Sequence, residues 1–129
     1  MSSSSKTVKI APSVLASDFG KLADEIKAVS LAGADWIHLD SMDGRFVPNL
    51  TFGPPVIKAV REITDVYFDA HLMIEDPDVI LEDFALAGVQ GITVHVEVCT
   101  HLNRTLSRIR ELGCRAVSYT HLTLPTIFA

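Results

Sequence analysis

Basic charge is scarce in this sequence. Eleven Lys and Arg stand against sixteen Asp and Glu, a net charge of −5. The chain therefore lacks the cationic surplus that neutralises nucleic-acid phosphates or anionic membrane surfaces, and neither partner is expected. Cysteine is scarcer still. Cys99 and Cys114 lie fifteen positions apart with no Cys-x-x-Cys pair, which excludes a disulfide framework and a four-thiolate zinc site. Two reduced thiols in a cytoplasmic protein are expected. Long apolar runs are also missing: none approaches the roughly 18 residues of a membrane helix. The Ser-rich start, residues 1–7, has no apolar stretch of the kind a signal peptide needs and reads as a flexible tail. Apolar residues as such are plentiful. Of 129 residues 48% are hydrophobic and 21% charged, enough to bury the core of one domain.

Patterning predicts alternating strands and helices. Short strands are expected at residues 8–13, 35–40, 66–73 and 91–96, with a further one centred near 117. Helices are expected at 18–32, 54–63, 76–87 and 101–112. Their inward residues recur at helical spacing: Phe19, Leu22, Ile26 and Val29; Val56, Val60 and Ile63; Ile80, Phe84 and Ala87; Leu102, Leu106 and Ile109. An internal echo supports the parse. Leu31-Ala32-Gly33-Ala34-Asp35-Trp36-Ile37 resembles Leu86-Ala87-Gly88-Val89-Gln90-Gly91-Ile92, and Glu111-Leu112-Gly113-Cys114-Arg115-Ala116-Val117 is a weaker third copy. Each is a helix end, a glycine, then a strand. Such alternation implies a parallel sheet covered by helices. Eight such units close a (β/α)8 barrel of about 200–250 residues, so the chain reads as the first half of a TIM barrel. The rival is a small open sheet with helices on both faces, but no Gly-x-Gly-x-x-Gly follows the first strand.

Polar residues gather at the carboxyl ends of the predicted strands: Ser13, His38 and Asp40, His71, then His95 and Glu97. That end is the active face of βα-repeat proteins. Strand side chains alternate, so His38 and Asp40 share a face with Trp36, opposite Leu39. Imidazole and carboxylate side by side make a partial site for Zn²⁺, Mn²⁺ or Fe²⁺, and His71 on the next strand can supply a third ligand. The competing reading is a His–Asp pair hydrogen-bonded for structural reasons. Met42 and Met73, each two residues beyond Asp40 and His71, fall on the same face, where methionine commonly serves as adaptable filler. The loop from 41 to 53 is long for a βα connection, and long loops are commonly functional.

The residues of that loop are specific. His38-Leu39-Asp40-Ser41-Met42-Asp43-Gly44-Arg45-Phe46-Val47-Pro48-Asn49-Leu50-Thr51-Phe52-Gly53 closely resembles the signature of the ribulose-phosphate 3-epimerase family. So do Ile10-Ala11-Pro12-Ser13-Val14-Leu15-Ala16-Ser17-Asp18-Phe19 and Asp69-Ala70-His71-Leu72-Met73, the latter followed by Glu75-Asp76-Pro77. The resemblance spans residues 8–116. Residues 117–129 do not share it and are expected to be a non-native tail, in which His121 is no ligand.

The resemblance implies a metal-dependent isomerase of carbohydrate metabolism. It would interconvert D-ribulose 5-phosphate and D-xylulose 5-phosphate in the pentose phosphate pathway, through a cis-enediolate. It implies one divalent ion (Zn, Fe, Mn or Co) on His38, Asp40 and His71, plus a second Asp from a later strand of the barrel. Asp40 matches one of two catalytic acid/base carboxylates, and Ser13, His71, Met42 and Met73 match substrate-contacting positions. The family's Gly-rich phosphate loops follow strands seven and eight of its barrel, beyond the strands seen here. A sister activity on allulose 6-phosphate, or a non-catalytic metal-binding fragment, are the alternatives. A homo-oligomer is also expected to be accessible. A phosphate-binding decarboxylase is disfavoured, because no Asp-x-Lys-x-x-Asp run follows the second strand.

Overall fold

A computed structural model describes residues 8–120. Four strands and four helices alternate along the chain: α1 (Leu22–Leu31), β1 (Trp36–Met42), α2 (Pro54–Val60), β2 (Tyr67–Met73), α3 (Leu81–Ala87), β3 (Gly91–His95), α4 (Leu102–Glu111) and β4 (Arg115–Tyr119). The strands form one sheet in the order β1-β2-β3-β4, and every pair is parallel. Each crossover therefore advances by one strand. Right-handed crossovers that never reverse direction place their helices on a single face, whereas a doubly wound sheet reverses its order partway. The architecture is a half TIM barrel, and the open two-faced sheet is excluded.

The two faces differ as their sequences dictate. Side chains alternate along a strand, and the helix-covered set is apolar: Ile37, Leu39, Phe68, Ala70, Leu72, Ile92 and Val94 are all fully buried, packed with Ile26, Ile57, Leu81, Phe84 and Ile109 from the helices. At roughly 1.5–3 kcal/mol for each large apolar side chain taken out of water, this layer dominates stability. The other face, which would line a barrel, stacks in rows set by the strand register. Trp36 lies beside Tyr67, His38 beside Asp69 and Gly91, Asp40 beside His71 and Thr93, and Met42 beside Met73.

Several local expectations change. Residues 8–13 form no strand. They lie extended beside β1, with the Ile10 and Pro12 carbonyls accepting from Asp35, Trp36 and His38, and only Ser13 bridges to His38. Pro12 has no N–H to donate to a ladder. A 3₁₀ turn, Phe19–Lys21, precedes α1, capped by Asp18. Phe19 is therefore exposed and meets Phe52 edge-on instead of facing the sheet. In α2 the buried pair is Ile57 and Val60, while Val56 and Ile63 face outward. The helix stops after two turns, and the 3₁₀ turn Arg61–Ile63 shifts the phase of Ile63. In α4, Ile109 is fully buried as expected but Leu102 and Leu106 only partly so, and Thr105 joins the core by donating its hydroxyl hydrogen to Asp78. The strand expected near 117 is β4, so the sheet continues past Ala116 to Tyr119. Residues 1–7 and 121–129, with the flexible tail and most of the non-native tail assigned to them, lie outside the described residues.

Both cysteines are free thiols. Among the described residues no helix is long and apolar enough to cross a membrane.

Candidate metal centre

β1 and β2 deliver the site. Their register sets Asp40 directly opposite His71 and His38 opposite Asp69. His38 Nε2 lies 3.1 Å from Asp40 Oδ1, and His71 Nδ1 lies 3.2 Å from the same oxygen. One donor atom from each of His38, Asp40 and His71 falls within 4.8 Å of the others. Two imidazole nitrogens and a carboxylate oxygen are a donor set that suits zinc, iron, manganese or cobalt, so the residues present fit a divalent ion.

The other carboxylate oxygen of Asp40 is also held. Ser13 Oγ donates to Asp40 Oδ2 at 2.5 Å, and Ser13 is placed there by its bridge to β1. Burial alone would raise the Asp40 pKa, but the hydrogen bonds from His38, His71 and Ser13 override it and hold the carboxyl well below the usual range. Burial would likewise lower the His38 pKa. The hydrogen bonds to Asp40 and Asp69 instead raise it to about 9.

A third strand adds His95, fully buried, with its Nε2 2.7 Å from His71 Nε2. One of these two nitrogens must carry the proton between them. Burial, then the neighbouring His71, pushes the His95 pKa down to about 4. Among the described residues its Nδ1 has no hydrogen-bond partner, since the Glu97 carboxylate stands 3.9 Å away. Glu97 lies on a 3₁₀ turn beyond β3 and does not join the cluster. Met42 and Met73 sit side by side one row above Asp40 and His71, Met73 buried and Met42 half-buried.

The long loop after β1 folds back onto this end of the sheet. Thr51 Oγ1 donates to the Asp40 carbonyl and accepts from the Met42 N–H. Asp43 accepts from the N–H groups of Arg45, Phe46 and Glu75, tying the loop to the chain beyond β2. Phe46 is thereby set 5.1 Å from the His95 ring.

The comparisons with known proteins agree with this geometry. The family model described as "Ribulose-phosphate 3 epimerase family" matches residues 9–126, so the likeness does not stop at Ala116 but runs on into the segment expected to be non-native. The chain belongs to the ribulose-phosphate 3-epimerase family. It is 52% identical over 126 residues to "Ribulose-phosphate 3-epimerase" of Synechocystis, covering 96% of this chain and 55% of that protein. It is 48% identical over 115 residues to "Ribulose-5-phosphate-3-epimerase, chloroplastic" of Arabidopsis thaliana, covering 88% of this chain and 41% of that protein. With "Ribulose-phosphate 3-epimerase, cytoplasmic isoform" of rice it shares 53% identity over 90 residues, covering 70% of this chain and 40% of that protein. The chain spans about half the length of the curated epimerase relatives it matches, and these relatives work in more than one compartment, so the family does not fix a cytoplasmic location.

Sequence reasoning brought together Ser13, His38, Asp40 and His71, and it put His95 at the same strand ends. It did not find Asp69 as a partner of His38. The signal was present: Asp69 precedes His71 by two and so shares its face.

Proposed function

We propose that these strands carry the metal-binding half of a ribulose-phosphate 3-epimerase site, acting on D-ribulose 5-phosphate and D-xylulose 5-phosphate. The observation that carries this reading is the convergence of His38, Asp40 and His71 at the carboxyl ends of two adjacent parallel strands, in a chain half-identical to proteins of that name. His38, Asp40 and His71 would hold a divalent ion. Such an ion would supply Lewis-acid stabilisation of negative charge developing on the substrate.

The chain's own residues do the rest. Epimerisation at C3 removes a proton beside a ketone and returns one from the opposite face. Asp40 is ionised, the form that accepts a proton, and serves one face of the substrate. Ser13 orients the Asp40 carboxylate through its hydrogen bond and, on this reading, would also contact substrate. His71 borders the same space. Met42 and Met73 form a wall that offers no proton to a carbanionic intermediate and keeps water away. The second carboxylate and the phosphate-holding loops are assigned to later strands of a complete barrel.

The test is a hybrid in which residues 1–119 are joined to the second half of the Synechocystis relative. The join follows β4, which ends at Tyr119, and lies inside the family match, which runs to residue 126. The hybrid is expected to interconvert the two pentose phosphates in the presence of a divalent ion. Asp40→Asn is expected to lower turnover by at least about a hundredfold, the lower range for losing a general acid/base, with circular dichroism unchanged. A folded hybrid that turns over equally well with Asn at position 40 would remove Asp40 from the chemistry.

A further inference from the structure

The mechanism leaves one buried charged contact without a task. Asp69 lies one row below the metal cluster, on the same inward face of β2, with its side chain mostly covered. Its Oδ2 is 2.9 Å from His38 Nδ1. The nitrogen it touches is the one that points away from the cluster, because Nε2 is the atom beside Asp40. The position opposite Asp69 on β3 is Gly91, where an added Cβ would sit 3.1 Å from Asp69 Oδ1 and 2.5 Å from the Tyr67 hydroxyl. The missing side chain on β3 is what leaves room for the carboxylate in this row.

A neutral imidazole carries its proton on one nitrogen only, and the acceptor at Nδ1 decides which. With a carboxylate at Nδ1, the proton stays there and the Nε2 lone pair is free. The partial negative charge pressed on the ring also makes that lone pair a better donor.

We propose that Asp69 is a positioning residue, which fixes the ring of His38 and its protonation pattern so that Nε2 faces the cation. The inference rests on the reading of His38, Asp40 and His71 as a cation site. A purely structural pairing, in which Asp69 only stabilises a protonated His38, is the competing account, and it makes different predictions.

The test uses the whole 129-residue chain and Co²⁺ alone, followed by visible absorption. Asp69→Asn, which keeps size and removes charge, is expected to weaken Co²⁺ binding by about 10–100-fold, the usual effect of removing such an outer partner. If Asp69→Asn loses thermal stability while its Co²⁺ affinity stays within a factor of about two of wild type, the contact is structural and the proposal falls, while the cation site stands. If the wild-type chain takes up no Co²⁺, the cation site falls and the proposal with it. A second measurement does not depend on the variant folding. In ¹H–¹⁵N spectra of the wild-type histidine rings with Zn²⁺ bound, His38 is expected to show its proton on Nδ1 and the metal shift on Nε2. The reverse pattern overturns the proposal.

Discussion

At the scale of residues, His38 without a metal is held by two carboxylates, and this has a consequence for stability against pH. Burial opposes its charge, yet Asp40 and Asp69 raise its pKa from 6.5 to about 9. A group whose pKa is raised by folding stabilises the fold fully below its unfolded value and loses that contribution as pH climbs through its folded value. The metal-free chain is therefore expected to lose stability between about pH 6.5 and 9, by an amount on the order of 3 kcal/mol at most, from the size of the shift. The stabilisation of Asp40 comes from the same contacts and is not counted again. Urea unfolding at fixed ionic strength across that range checks this. A flat profile, or one that rises with pH, would mean that His38 is neutral in the folded chain. The proposed metal ligands were legible from the sequence because alternation along a strand is a strict period of two and the motif residues are distinctive. The Asp69–His38 and His95–His71 contacts were signalled only as far as a shared face or a shared strand end, not as pairs. They depend on how adjacent strands are registered, which no single strand encodes.

At the scale of elements, the three echoed segments share a backbone requirement. Gly33, Gly88 and Gly113 each follow a helix with positive φ, at 104°, 107° and 88°, a region that costs a side-chain-bearing residue about 1–2 kcal/mol. Their surroundings differ. Around Gly113 an added Cβ meets nothing within 4 Å, whereas at Gly88 it would lie 2.6 Å from Arg61 Cδ. Arg61 cannot readily move. Its guanidinium donates to the carbonyls of Thr64, Val66 and Gly88 and to the Gln90 side chain, and it lies 3.7 Å from the centre of the Phe68 ring. Gly113→Ala is therefore expected to cost only the backbone penalty, and Gly88→Ala that penalty plus about 1–3 kcal/mol of overpacking. Equal losses of unfolding free energy in the two variants would show that Arg61 yields freely. The glycines were legible as helix stops, and the helices as apolar stripes. What could not be read was the phase. In α2 both Val56–Val60 and Ile57–Val60 have helical spacing, and only packing into the common core beside α3 selects Ile57. The 3₁₀ turn after Asp18, which turns Phe19 outward, was not legible either.

At the scale of the whole molecule, the question is how a sheet built to close behaves as four strands. Among the described residues the outer edge of β4 has no strand partner, and an unpaired edge is a template for another chain. The inward face is only partly covered: Tyr119 is exposed, and Trp36 and His38 are half-buried. Apolar Leu31, Leu50, Val79 and Leu86 also stand in solvent. Opposing association is the net charge of −5, whose repulsion is confined to about 8 Å at physiological ionic strength and reaches about 30 Å at 0.01 M salt. Edge pairing and apolar contact act at shorter range than either distance and are not weakened by salt. The 129-residue chain is thus expected to self-associate, with the association tightening as salt is raised from about 10 to 150 mM, the range over which screening changes most. Sedimentation velocity over a tenfold range of protein concentration at both salt levels measures this. If the closing of a barrel is what the open edge and face lack, the hybrid with a second barrel half should lose the tendency, because the same edge and face would then be covered within one chain. A chain that stays monomeric in both salts would show that four strands already satisfy their own edges. Association that weakens with salt would instead assign the contact to charge pairs between copies.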